Sequence, residues 1–432
     1  MGLLFSVEKP PPVVLVPPLF HRPEFASRYR MTNSSYDVLF AKIARTALFT
    51  DYYREADDIF LRLMLKPPED QNVDFIAAFS GSSKEGKNPN GEATFRWHPT
   101  ETDTNNFLEL NTSTWIKKLR LRTCTFYPPM GLGTFASISV LPISRQFFEH
   151  FGLRYESSSI SAGTRVDIGS GGPSCIWFVG KLGKITAGSQ FQSKISFSEL
   201  QSAWKDSILH EIGKPQNWNF AINYGSGTSG PLTHSFNFCL EAQANSKLIC
   251  SYYQHLVVQR KIRNPFESSE VVAITNYIDL GVEFQQSIRD CEPDLHMDGS
   301  SKLLEMQIGV SWQANKNFLL KGKLGNSCSA FAFLHKFWWQ PSSTFSLSVV
   351  RDHIRKYTRF GIGIQVENFG GVSYERADPT YVMVTPTKQH VAEKMLTKDP
   401  NIRPMLSTDI ELHNTDWIPA EFQPRDSGGL LF

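Results

Sequence analysis

Six cations are spaced so that they could act together on a solute. Lys118, Arg120 and Arg122 alternate with Leu119 and Leu121, and Lys321 and Lys323 alternate with Leu320 and Leu324. Arg359 heads a segment in which Phe360, Ile362, Ile364 and Val366 alternate with Gly361, Gly363, Gln365 and Glu367. Rings of Lys and Arg on the polar side of such segments favour anions in a pore. The competing reading is a solvated face with carboxylates opposite, and Glu283, Glu305 and Glu367 are available for it. No other constellation offers chemistry. Gly225-Ser226-Gly227-Thr228-Ser229-Gly230 spells G-x-G-x-x-G after an alternating segment. Pro231 and another alternating segment follow it, so no helix N-terminus is there to receive a pyrophosphate, and the run reads as a hairpin loop. His210-Glu211 lacks a second histidine at zinc spacing, and the other histidines are scattered. No catalytic residue, metal or cofactor is expected, and the chain does not read as an enzyme.

The elements that would position those cations share a period of two, the signature of strands with one apolar face. Leu304, Met306, Ile308, Val310 and Trp312 form one such ribbon, and Phe345, Leu347 and Val349 another. Ser329 to Trp339, rich in Phe, lies between them. Upstream, the same alternation runs through Ile59 to Leu65, Val73 to Phe79, Ala93 to Trp97, Ala136 to Val140, Trp218 to Tyr224, Phe236 to Leu240 and Ile278 to Phe284. It is weaker around Leu108 and Leu110 and noisier from Gln146 to Gln192. Within that noisier stretch Ile176 to Lys181 reads as a continuous strand and Lys184 to Phe191 as its partner. Three cations on the Lys118–Arg122 face cannot point at lipid, where each costs about 2–4 kcal/mol at the midplane.

Helical spacing occurs twice. Leu39, Ile43 and Ala47 share a stripe, with Phe40 and Ala44 beside it, which predicts a helix from Ser34 to about Arg54. It would lie in a barrel lumen and narrow it, or rest at the mouth. Leu200, Trp204 and Ile208 predict a helical insertion in a long loop over 198–212. The chain therefore divides into a proline-rich lead with a helix over 1–57, a strand-rich body over 58–371, and a polar, proline-punctuated tail over 372–432.

The 432 residues are 41% hydrophobic and carry a net charge of +2, which implies no nucleic-acid partner. Six dispersed cysteines without C-x-x-C suggest a reducing compartment. No apolar run is long enough for a transmembrane helix. Met1-Gly2-Leu3-Leu4-Phe5-Ser6 fits an N-myristoylation signal at Gly2 and equally an ordinary hydrophobic start. No signal peptide or transit peptide is recognisable, so insertion from the cytosol without a cleaved presequence is expected. Asn33 and Asn111 fit the glycosylation acceptor pattern, which a cytosol-inserted barrel never presents to that machinery.

The body holds about 18 or 19 strand candidates at about 16 residues per strand and link, the scale of a large antiparallel barrel. An open sheet of that size would leave backbone groups unpaired along both margins. The helical segments are too few to cover its apolar face. Closure with lipid on the apolar face answers both problems; a soluble two-sheet assembly, covering itself with protein, is the alternative.

Arg359, Gly361, Ile364 and Val366 fit the polar-x-Gly-x-x-hydrophobic-x-hydrophobic sorting signal on the last strand of mitochondrial outer-membrane barrels. The strand count and the preceding helix resemble the voltage-dependent anion channel family, whose barrels have 19 strands. The opening from Met1 to Phe20, and Tyr36-Asp37-Val38-Leu39-Phe40, look like a plant porin-like protein of the mitochondrial outer membrane. The proline-rich lead and the residues beyond the sorting-like strand depart from the anion-channel pattern. The resemblance implies an all-β transmembrane barrel of the mitochondrial outer membrane, or of the plastid outer envelope. Its partners would be membrane lipids, the sorting and assembly machinery, and small anionic or neutral metabolites. Two further readings stay open: a non-conducting barrel acting as scaffold or lipid handler through its tail, and a soluble β-rich enzyme.

Overall fold

A computed structural model places the alternating segments in one closed sheet. It describes residues 13–14, 33–40, 45–50, 52–53, 58–67, 69–70, 72–82, 89–99, 105–114, 118–140, 148–167, 174–193, 213–225, 234–244, 247–263, 270–287, 304–338 and 341–368. A two-residue strand, β1 (Val13–Val14), comes first. β2 (Asp58–Leu65), β3 (Val73–Ser82), β4 (Asn90–Trp97), β5 (Phe107–Ser113), β6 (Lys118–Tyr127) and β7 (Leu132–Ser139) follow. β8 (Phe148–Glu156), β9 (Ile160–Asp167), β10 (Ser174–Leu182), β11 (Ile185–Ser193), β12 (Trp218–Gly225) and β13 (Ser235–Gln243) continue the series. β14 (Lys247–Arg263) and β15 (Glu270–Ser287) are the longest. β16 (Leu304–Gln313), β17 (Phe318–Gly325), β18 (Cys328–Phe337), β19 (Ser342–Asp352) and β20 (Tyr357–Asn368) complete it.

From β2 to β20 each strand pairs antiparallel with the next. β2 then closes onto β20 in parallel, with Ile59 opposite Ile362 and Leu65 opposite Asn368. The barrel wall thus has 19 strands, within the expected count. An odd number of up-and-down strands brings the first and last into the same direction, so the seam must be parallel. Within the described wall that pair is the one departure from the all-antiparallel expectation; the short β1 also pairs in parallel, with β15.

The two faces separate as the alternation requires. On β10, Ile176 and Phe178 are 52% and 53% exposed, while Cys175, Trp177 and Val179 between them are buried. Phe220, Ile222 and Tyr224 on β12 and Phe360, Ile362 and Ile364 on β20 continue the outward belt. The opposite face buries Arg96, Glu109, Ser137, Gln190, Glu241 and Ser346. An apolar ribbon encircling the molecule far exceeds the patch a water-soluble monomer exposes, and closure leaves no unpaired edge, so lipid is the solvent for the outer face. No described helix is long and apolar enough to cross a membrane. An arginine at outward Phe178, midway along β10, is expected to cost about 2–4 kcal/mol. Folding titrations into lipid vesicles measure that loss, and an unchanged free energy would mean that this face does not meet hydrocarbon.

The expected helix from Ser34 to Arg54 is not formed as one element. A five-residue helix, α1 (Ser35–Leu39), ends at Phe40, whose backbone is extended, and a π-helical turn spans Arg45–Thr50. The reason is contact with the wall. Tyr36 and Phe40, not the Leu39 stripe alone, meet inward side chains, and the wide turn points neighbouring Leu48 and Phe49 at the wall together. The expected insertion over 198–212, the glycines beyond Gly225, Gly2 and the tail over 372–432 lie outside the described residues.

Candidate functional site: the barrel interior

The interior begins with the polar half of each alternation. A strand that alternates apolar and polar residues must turn the second set inward once lipid takes the first. Inside, a charged group away from bulk water needs a partner. Glu109 on β5 accepts from Arg96 Nε at 3.1 Å and from Arg122 NH1 at 3.2 Å, so one carboxylate joins three neighbouring strands. Lys336 pairs with Glu367, and His255 Nδ1 lies 2.6 Å from Asp279 Oδ1, which also accepts from Tyr253 Oη at 3.0 Å.

The described residues 33–40, 45–50 and 52–53 run against this inner wall. Ser34 caps α1, its Oγ accepting from Asp37 N at 3.0 Å and from Gln190 Nε2 at 2.7 Å. Arg154 donates to Asn33 O at 2.8 Å and to Ser35 Oγ, and is itself paired with Glu156. Tyr36 Oη donates to Glu241 Oε1 at 3.2 Å. Arg45 reaches Glu283 at 3.2 Å, a carboxylate that Gln307 Nε2 also holds at 2.7 Å. Lys323 Nζ donates to Phe49 O at 3.3 Å, and Lys321 Nζ lies 5.0 Å from the centre of the Tyr52 ring.

Three inward glycines receive the apolar side chains of this segment. A Cβ at Gly188 would stand 2.7 Å from the Phe40 ring, and one at Gly281 would stand 2.4 Å from Leu48 Cδ1. At Gly309 it would meet Phe49 Cε1 at 2.7 Å and Leu48 Cβ at 2.9 Å. Glycine inside a strand weakens it unless something must approach closely, and here that is the chain's own segment. Around Phe40 the wall itself turns apolar: Phe135, Cys175, Trp177, Val179 and Ala221 join Tyr36, Leu39 and Phe40 in one buried cluster.

Comparison with known proteins comes out faint. No protein-family model matches the chain, and no curated protein matches it. Among solved structures, a double mutant of the Rhodopseudomonas blastica porin superposes with a TM-score of 0.38 at 7% identity, over 68% of this chain and 99% of that one. A triple mutant of the same porin gives a TM-score of 0.36 at 7% identity, over 65% of this chain and 93% of that one. Likeness at that level bears on neither fold nor function.

The six cations expected to act together do not form one ring. Arg120 and Arg122 stand on β6, Arg359 five strands round the wall on β20, and Lys321 and Lys323 eight strands away on β17. Lys118 begins β6, and its side chain lies outside the described residues. Arg122 is neutralised through Glu109, Lys323 is turned to the backbone of the inner segment, and the Arg359 guanidinium lies 5.6 Å from the Tyr357 ring centre. Arg359 and Gly361 share the inner face of β20, and Ile364 and Val366 the outer. Sequence reasoning missed Arg154, Glu156, Glu241 and Gly281. The signal that could have found them was glycine recurring on the polar side of otherwise regular strands.

Proposed function

We propose that the chain is a diffusion channel of an outer membrane, passing small solutes with a slight preference for anions. The observation that carries this reading is a closed wall, apolar outside and largely polar inside. The segment over 33–53 narrows the passage. Nineteen strands match the mitochondrial anion channels in number, which supports the mitochondrial outer membrane, or a plastid envelope, as the site. The cations on β17 and β20 would supply the anion preference, aided by Lys118 and Arg120 on β6. Gly361 and its neighbours on β20 would present the chain to the sorting and assembly machinery.

Reconstitution into planar bilayers tests this. Folded protein is expected to give discrete conductance steps, and their absence would sink the channel. Replacing Lys321, Lys323 and Arg359 by glutamine is expected to move the reversal potential in a salt gradient toward the cation value. An unmoved potential would remove those three from the permeation path.

A second reading has its own observation. The apolar patch on the inner wall, with Phe40 seated in it, suits a barrel that handles lipid or serves as a scaffold without conducting. Silent bilayers together with lipid carried on the purified barrel would favour it.

A further inference from the structure

The lipid face of β18, β19 and β20 changes character at one end. The register sets the outward residues of these strands in rows across the sheet. Phe333, Leu347 and Ile362 make one row, and Phe331, Val349 and Phe360 the next. Both rows are wholly apolar, and Phe331 and Phe360 are 51% and 69% exposed. The row beyond them is Ser329, Arg351 and Thr358. A guanidinium flanked by two hydroxyl residues thus stands about 7 Å along the strands from a hydrocarbon-facing surface. β19 turns into β20 just past this row, so it lies at the rim of the wall. That is the level at which a long cationic side chain on a lipid face reaches the headgroups.

The turn beside that row is tied down. Asp352 Oδ1 accepts from Ile354 N and Arg355 N, each at 2.9 Å, which engages the one carboxylate of the tip. His353 Nε2 lies 2.7 Å from Ser329 Oγ, and His353 N donates to Ser327 O at 2.9 Å. Arg355 and Lys356 stay exposed, so residues 351–356 carry three cations against a single acid. Among the described residues no carboxylate pairs with Arg351. A cation left without a protein partner, next to an anionic membrane surface, favours a ligand that brings the charge.

We propose that this corner of the outer wall seats one phospholipid with a net negative headgroup. Arg351 takes the phosphate through paired N–H donors, the Thr358 hydroxyl adds another, and Arg355 adds charge. An acyl chain lies along β19, where the short Val349 leaves a furrow between the Phe331 and Phe360 rings. A zwitterionic lipid fits the furrow but brings its own ammonium group toward the cations, so the site discriminates by headgroup. A free phosphate fits Arg351 but leaves the furrow empty. The site lies outside the lumen and stands whether or not the barrel conducts.

The full chain, folded in mixed micelles, is titrated with phosphatidylglycerol or with phosphatidylcholine of the same chains, and retained lipid is counted by native mass spectrometry. The parent is expected to keep one phosphatidylglycerol and to hold phosphatidylcholine about tenfold more weakly. Arg351→Gln with Arg355→Gln is expected to abolish that preference. Lys247→Gln is expected to preserve it; β14 and β20 begin at the same mouth, because each pair between them is antiparallel, so this exposed cation shares the rim but not the row. Val349→Trp fills the furrow and is expected to lower phosphatidylglycerol retention severalfold with every charge intact. Equal retention of both lipids by the parent, or an equal loss in Lys247→Gln, would overturn the site in favour of diffuse attraction. Retention unchanged by Val349→Trp, or displacement by glycerol 3-phosphate at matched concentration, would overturn the lipid in favour of a soluble phosphate.

Discussion

Replacing Glu109 by alanine is expected to destabilise the barrel by about 3–5 kcal/mol, because it removes the buried carboxylate that Arg96 and Arg122 share. Arg96 and Glu109 are both 0% exposed, and Arg122 is mostly covered. The carboxylate is the common acceptor for β4 and β6, so its removal leaves two guanidinium groups facing each other across β5. The loss exceeds that of a pair at the surface, which is worth at most about 1 kcal/mol. Reversible urea unfolding in vesicles measures it. The arithmetic of burial also predicts the rescue: removing Arg96 and Glu109 together, as Arg96→Met with Glu109→Leu, recovers most of the loss, since two uncharged groups need no partner. A Glu109→Ala barrel within about 1 kcal/mol of the parent would mean that water reaches this triad freely.

The second large effect concerns the glycine seats. Gly309→Val with Gly281→Val is expected to expel Leu48 and Phe49 from the wall and raise unit conductance about twofold or more. The wall is not harmed by the change, since valine suits a strand better than glycine. The inner segment is harmed, because a side chain at Gly309 occupies the space of Leu48 Cβ and of the Phe49 ring, and one at Gly281 closes the room into which the Leu48 tip would move. Gly322→Val is the control: a Cβ there meets nothing within 4 Å. Conductance that follows the seats but not the control places the segment in the permeation path. Equal conductance in all three would take it out.

Much of the wall was legible because lipid enforces a strict rule on each strand. Phe220, Ile222 and Tyr224, or Phe360, Ile362 and Ile364, could alternate only if one medium bathed every second side chain. The rule blurs where the inner face also meets hydrocarbon. β10 reads as a continuous apolar run because Trp177 and Val179 pack under Tyr36 and Phe40. β14 escaped notice because Ile249, Tyr253 and Val257 point inward between the outward Tyr252 and Leu256. The helix expected over Ser34 to Arg54 followed local spacing alone, whereas its real shape is set by partners such as Glu241, 205 residues from Tyr36. No periodicity within a short window carries that information. Which carboxylate answers which cation depends on strand order and register, and those appear only on closure.

The parallel seam has a consequence for how the molecule is made. Ile59 finds Ile362 only after nearly the whole sheet has been laid down, so every nascent fragment ending before Tyr357 offers two raw margins to the bilayer. Neither margin can satisfy itself, because the backbone of β2 waits on a strand that does not yet exist. Assembly is therefore a zip that shuts once, when β20 meets β2. The arrival of β20 decides whether the ring joins at all.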